Sequence, residues 1–240
     1  METAFIVHGI ELTLVRKDVR HVRISIHPPD GRVRVSAPRH LTDAAIRRML
    51  APKLPWICRK QAEVLHRDQQ PRLELVTGEH HFHFGQRYRL LVIENAGRPG
   101  VSLVGDTMEL RVPPAASVEK RAAVLERWYR AQLSENVRRL LGEWERRLGV
   151  VASEVRIRRM RTRWGSCNTR ARRIWVNLEL AKRPHACLEY VLVHELVHLL
   201  EPSHGRRFWS LMDEFMPQWR QHRDALRSSS GPTTLADGDA

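Results

Sequence analysis

From Thr3 to Val112 apolar and polar residues alternate in short runs. Val22-Arg23-Ile24-Ser25-Ile26 and Arg32-Val33-Arg34-Val35 place an apolar side chain at every second position, the period of a half-buried strand. Pro28-Pro29-Asp30-Gly31 between them has turn chemistry, so a hairpin is expected. Helical spacing then takes over through Ile46, Leu50, Leu54 and Ile57, with Thr42 as N-cap and with Pro52 and Pro55 placed to bend or break the helix. Strand patterns resume near Leu73 and are expected over 87–94, 101–104 and 107–112, with Gly105-Asp106 turning between the last two. In His81-Phe82-His83-Phe84 the two histidines share one strand face. A solvent-facing pair is the expectation there, and a second metal site the alternative.

Pro113-Pro114 marks a boundary. Beyond it Ser117 to Leu148 carries a helical stripe of Val124, Trp128, Leu133, Val137, Leu140, Leu141 and Trp144, which predicts one long helix or two. The segment from Val155 to Leu180 reads as paired strands around an irregular loop at Trp164 to Thr169, and Pro184 opens a strongly apolar helix. Residues 228–240, rich in Ser, Gly, Asp and Thr, are expected to form a disordered tail. No internal repeat is visible in the sequence.

Composition changes this picture little. With 240 residues, 42% of them apolar, the chain is long enough to bury a substantial core without staples. Cys58, Cys167 and Cys187 are too few and too scattered for a disulfide framework; they read as small buried hydrophobes in a reducing compartment. Met1-Glu2-Thr3-Ala4-Phe5 lacks the basic start and apolar stretch of a signal peptide, and no run approaches about 18 apolar residues. A cytoplasmic, non-membrane protein is expected. The net charge of +14 is compatible with an anionic partner and equally with a solvated, arginine-rich surface.

The candidate chemistry lies at His194-Glu195-Leu196-Val197-His198. Two imidazoles four residues apart project from one helix face, about one turn from each other, at a separation suited to a single ion. Glu195 follows the first histidine and, on such a helix, leans over the open coordination position, where it can take a proton from water. A catalytic zinc site needs three protein ligands, and His204 is the leading third donor: Pro202 ends the helix and Gly205 gives the chain freedom to turn back. Glu201, Asp213 and Glu214 are the competing third ligands. Cys187, two turns from His194 and about 10 Å away by helix rise, is too far to share its metal.

Arg163-Trp164-Gly165-Ser166-Cys167, Asn177 with Leu180, Tyr190-Val191, the HELVH segment, His204 and Phe208-Trp209 resemble the YgjP-like predicted metal-dependent hydrolases, zincin relatives of the SprT-like metallopeptidases. The resemblance extends upstream through Pro29-Asp30-Gly31, Ala37-Pro38, Trp56-Ile57 and Gly78, covering nearly all of the chain but the tail. It implies His194, His198 and His204 as metal ligands and Glu195 as catalyst. Two departures, Glu201-Pro202-Ser203 before His204 and Pro55 in the upstream helical segment, remove no proposed ligand. With it the expected fold is α+β: a β-rich N-terminal region over 1–112, a helical and zincin-like catalytic region over 113–227 with its HExxH helix packed on a small sheet, and the tail.

The resemblance implies a zinc-dependent hydrolase acting on peptide or protein substrates, with Glu195 as general base and one Zn2+ as cofactor. Arg163, Tyr190 and His185 are candidate donors to the oxyanion. Eight arginines between Arg156 and Arg173 read first as a solvated strand surface and, as phosphate ligands, keep open a nucleotide phosphoanhydride as substrate; the similarity to SprT-like proteins would also allow a DNA-associated protease or a nucleic-acid-binding protein.

Overall fold

The computed structural model describes residues 2–27, 30–68 and 74–227. The turn prolines 28 and 29, the strand start at Leu73 and the tail over 228–240 lie outside the described residues. The chain divides into two compact units, Met1–Arg72 and Leu73–Ala240.

In the first unit, β1 (Glu2–Val7), β2 (Ile10–Lys17), β3 (Arg23–His27) and β4 (Arg32–Pro38) form a sheet in the order β1-β2-β4-β3. Its two hairpins are antiparallel, and the central β2–β4 pair is parallel. The first hairpin turns through His8 and Gly9, both at positive φ (47° and 83°), as a two-residue connection matched to strand twist requires. Thr42 caps α1 (Asp43–Leu50), its hydroxyl accepting from the Ala45 amide at 3.2 Å. Pro52 falls in a single 3-10 turn between α1 and α2 (Leu54–Asp68), so the predicted helix is bent without being lost. Ile46, Leu50 and Ile57 close a core over Phe5, Leu12, Leu14, Val33 and Val35.

The second unit opens with β5 (His80–His83), β6 (Gln86–Glu94), β7 (Gly100–Val104) and β8 (Thr107–Val112), in the order β5-β6-β8-β7. Strand directions repeat those of the first sheet: antiparallel hairpins at the edges and a parallel pair between them. Its first hairpin also turns through a positive-φ pair, Phe84 (42°) and Gly85 (85°). The two sheets are thus one topology used twice, although no sequence repeat announces it; strand pairing constrains alternation and turns, not residue identity. Residues Leu90, Met108, Leu110 and Val112 share their core with α3 (Val118–Leu148), and Pro113 sits in a turn inside this unit, some forty residues beyond the point where the two units part.

One helix, not two, fills 118–148, capped by Ser117 and closed by Gly149 in the left-handed region (φ 65°). Its buried face runs through Leu125, Tyr129, Leu133, Val137, Leu140, Trp144 and Leu148. At the first turns this is one residue on from the expected stripe, because the Tyr129 hydroxyl donates to the Phe82 carbonyl at 2.7 Å and leaves Trp128 half-buried at the rim. The three cysteines are free, and Cys58 is exposed, not buried as expected.

The expectation for His81 and His83 is corrected by the structure. They do share a face of β5, but it is the inner one: they are 4% and 9% exposed, while Phe82 between them is 47% exposed. His83 packs on Trp128 and Phe84 (ring centroids 4.6 and 4.5 Å apart), and His81 Nε2 lies 3.4 Å from Glu79 Oε2. Burial, with a smaller contribution from His185, pushes the His83 pKa down to about 4. Between that value and the ordinary 6.5 the unfolded chain binds the proton that the fold refuses, so this histidine makes stability fall as pH drops from about 6.5 to 4. We expect the melting temperature of His83→Phe to fall less between pH 7 and pH 5 than that of wild type; parallel curves would show that His83 protonates freely in the fold.

Candidate metal and catalytic site

The second unit's other sheet has the order β10-β11-β9, from β9 (Glu154–Arg158), β10 (Gly165–Asn168) and β11 (Arg173–Asn177). The expected paired strands are β9 and β11, which run parallel, and the segment expected to be an irregular loop holds β10, antiparallel to β11 at the sheet edge. Ile174, Val176, Gly165, Val155 and Ile157 share one face by register, and Ile174 and Val176 are fully buried. Against this sheet packs α4 (His185–Val197), opened by Pro184 and buried from Cys187 to Val197 except at Glu189. The Trp144 indole donates to Glu189 at 2.9 Å, tying α3 to α4.

A helix buried on nearly every side has no polar face, so the two polar residues at its C-terminal end stand out: His194 and Glu195 are each 0% exposed. His198 follows as the helix C-cap. Turns at Leu199 to Glu201 and then Pro202 reverse the chain, and Gly205 starts α5 (Arg206–Phe215). His204 is thereby brought back with its Nε2 3.0 Å from His194 Nε2. Ligand atoms of His194, His198 and His204 all lie within 4.8 Å of one another, a cluster that could hold one metal ion. The Phe208 ring sits 4.7–4.8 Å from all three imidazoles and walls the cluster from below. Trp209 stacks on His204, and Trp219, at the start of α6 (Trp219–Arg227), stacks on Trp209.

The electrostatics suit a cation. Burial, then its neighbours His198 and His204, holds the His194 pKa well below 6.5, and burial followed by His204 pushes His198 down to about 4. Both rings are therefore neutral near pH 7 and offer lone pairs. For His198 the ligating nitrogen is also defined: Nδ1 donates to the Glu201 carbonyl at 3.3 Å, leaving Nε2 for an ion. An ionised carboxylate at full burial costs several kcal/mol, which a divalent cation among the imidazoles would offset at Glu195. The residues present therefore fit such an ion.

Two of the three competing third ligands are engaged elsewhere, and the other stands outside the cluster. The Glu201 carboxylate accepts from the Ser203 hydroxyl and amide, and Asp213 pairs with Arg220 and the Trp219 indole; the exposed Glu214 is not in the cluster. Of the candidate oxyanion donors, His185 stacks on Phe84 at the far end of α4, Tyr190 is buried inside the helix packing, and Arg163 is exposed.

Two structural roles here are not read from the motif spacing. Asn177, fully buried, donates to the Met160 and Arg163 carbonyls (2.9 and 2.6 Å) and accepts from the Met160 and Glu179 amides, pinning the segment that leads into β10. That segment delivers Gly165 against Glu195: a Cβ on Gly165 would meet Val191 Cγ1 and Glu195 Cγ at 2.8 Å, with Glu195 Oε1 nearer still. We expect Gly165→Ala to destabilise the protein by about 1–3 kcal/mol as overpacking, seen as a melting temperature several degrees lower. An unchanged melt would mean that β10 does not lie against α4 so closely.

A buried HExxH helix with a third histidine returned to it, packed on a small sheet in an α+β chain, defines a zincin-like metallopeptidase fold. The YgjP-like metallopeptidase domain matches residues 20–229, and the chain belongs to that family. The crystal structure of the metallopeptidase zymogen of Pyrococcus abyssi abylysin aligns with a TM-score of 0.36 at 23% identity, over 38% of this chain and 92% of that one; so slight a likeness adds nothing about activity. Comparison with curated proteins gives no match.

Proposed function

We propose that the protein is a zinc-dependent peptidase in which His194, His198 and His204 hold one ion and Glu195 is the general base. The observation that carries this reading is the placement of Glu195: fully buried, one residue from a histidine of the cluster and in contact with the backbone of the edge strand β10. Bound by the histidines, zinc supplies Lewis acidity that brings the pKa of water towards about 7 and polarises a carbonyl.

The chain's own groups do the rest. Glu195 accepts the proton of the attacking water and passes it to the leaving amine, so that carboxylate and carboxylic acid alternate through the cycle. The open edge of β10 offers main-chain donors and acceptors to an extended peptide, which would run beside Glu195 as an added strand. Side chains beyond glycine at 165 would stand between that peptide and the carboxylate. Phe208 keeps the cluster dry on its inner side, and the Glu201 carbonyl holds the His198 ring in one orientation.

A phosphoanhydride substrate is less well supported, because Arg156, Arg158 and Arg173 fall on the sheet face opposite α4, away from the histidines. No described helix is long and apolar enough to cross a membrane; a cytoplasmic location is part of the proposal. The test is to incubate zinc-loaded protein with a proteome-derived peptide pool and, separately, with nucleoside triphosphates. New peptide termini that vanish on chelation support the reading, and nucleotide turnover without peptide cleavage refutes it.

A further inference from the structure

The sheet that carries the catalytic helix on one face presents a different chemistry on the other. By register, Glu154, Arg156 and Arg158 of β9, Arg173 and Trp175 of β11, and Ser166 and Asn168 of β10 share that outer face. Trp175 lies at its centre, beside Arg156 on one strand and Ser166 on the other. Arg158 and Arg173 reach over the indole, their guanidinium carbons 5.5 and 5.8 Å from its centroid, so that a stacking base would take the ring face while the two cations turn to its phosphates. Among the described residues the only acid on this face, Glu154, pairs with Arg156 and Arg173. Arg158 makes no ion pair among the described residues, nor do the exposed Arg161, Arg163 and Arg170 on the adjoining segments, so the surplus charge is positive. At the free edge of β9, between that strand and α3, lies an open groove of about 340 Å³ lined by Arg130, Ser134 and residues 155–158.

We propose that this face is a docking surface for single-stranded nucleic acid. A half-buried tryptophan among arginines supplies what such a strand needs and what a merely solvated basic face lacks: a ring for an unpaired base to stack on, with cations at the spacing of neighbouring strands for the phosphates on either side. An acidic peptide would satisfy the arginines but bring no planar group to the indole. A duplex hides its base faces and would leave the indole unused. The net charge of +14 supplies the long-range attraction. Because the surface lies on the reverse of the sheet from α4, a bound strand would leave the histidine cluster open, and the proposal is independent of what that cluster hydrolyses.

The test is fluorescence anisotropy of a labelled oligothymidylate with the full-length, zinc-loaded protein, titrated at several salt concentrations beside a duplex of equal length, inorganic polyphosphate and a poly-glutamate peptide. The oligothymidylate should bind tightest, with affinity falling steeply as salt rises. Arg156→Ala with Arg158→Ala should weaken it at least tenfold and reduce the salt slope by about 0.7 for each phosphate no longer neutralised. Trp175→Leu should weaken the oligothymidylate by roughly 5- to 100-fold while leaving polyphosphate unchanged. If Trp175→Leu melts early, Arg158→Glu, at an exposed site, carries the same test through the ratio of oligothymidylate to poly-glutamate binding. Equal or tighter binding of duplex, polyphosphate or poly-glutamate overturns the proposal, as does an oligothymidylate affinity indifferent to these substitutions.

Discussion

Glu195→Gln is expected to lower peptide hydrolysis by roughly 10²- to 10⁴-fold, the usual contribution of a positioned general acid–base, while zinc content stays at the wild-type level. Glutamine keeps the size of the side chain and fits the same space against Gly165 and Val191, so the fold has little reason to change. What it loses is the capacity to accept a proton as a carboxylate. Turnover and bound zinc measured in the same preparations separate the possibilities. Wild-type turnover with zinc in place would sink the role given to Glu195, whereas joint loss of zinc and activity would make it a structural residue of the site.

Zinc should be retained at about one ion per chain by wild type and lost on His194→Ala or His198→Ala. The expected drop in affinity exceeds the 10- to 100-fold typical of losing an outer partner of a metal ligand, since a bond to the ion itself is removed. His204→Ala should weaken binding as well, and it is the more telling variant: His204 is only half-buried, on the turn back from α4, so its removal leaves the helix packing intact. Elemental analysis after gel filtration, followed by competition with a chelator of known affinity, reads both effects. Full stoichiometry in His194→Ala and His198→Ala would place the metal elsewhere, and undiminished affinity in His204→Ala would return the third position to another donor.

Several elements follow from the chain without its fold because they obey local rules. Thr42 and Ser117 cap helices through their own hydroxyls, Gly149 stops α3 by its left-handed backbone, and β4 and β8 alternate buried and less buried residues with period two. The spacing of His194 and His198 on one helix, with Glu195 between them, belongs to the same class: a turn of helix places them together wherever that helix is packed. His204 is intermediate. Pro202 and Gly205 announce a reversal, but the 3.0 Å approach of its ring to His194 depends on Phe208 and on the stack of Trp209 with Trp219.

What alternation cannot say is which face of a strand is inside. His81 and His83 have the pattern of a solvent-facing pair, and only the arrival of α3, with Trp128 and Tyr129, turns that face into the interior. The same ambiguity hid the two sides of the small sheet, where a run of arginines reads as a solvated strand until register sets Trp175 among them and sends Ile174 and Val176 to α4. The segment at 164–169 looked irregular because a four-residue edge strand beginning with glycine carries almost no periodic signal; its identity comes from the pairing with β11. Gly165 itself shows the division most clearly. The sequence supplies a residue without a side chain, and only the packing of β10 on α4 makes that absence necessary, because the space a Cβ would fill is held by Glu195 and Val191, thirty and twenty-six residues further along the chain. Local propensity and helical spacing act over a few residues and are written in order. Close approach between distant segments is decided by which surfaces the whole chain can bury together.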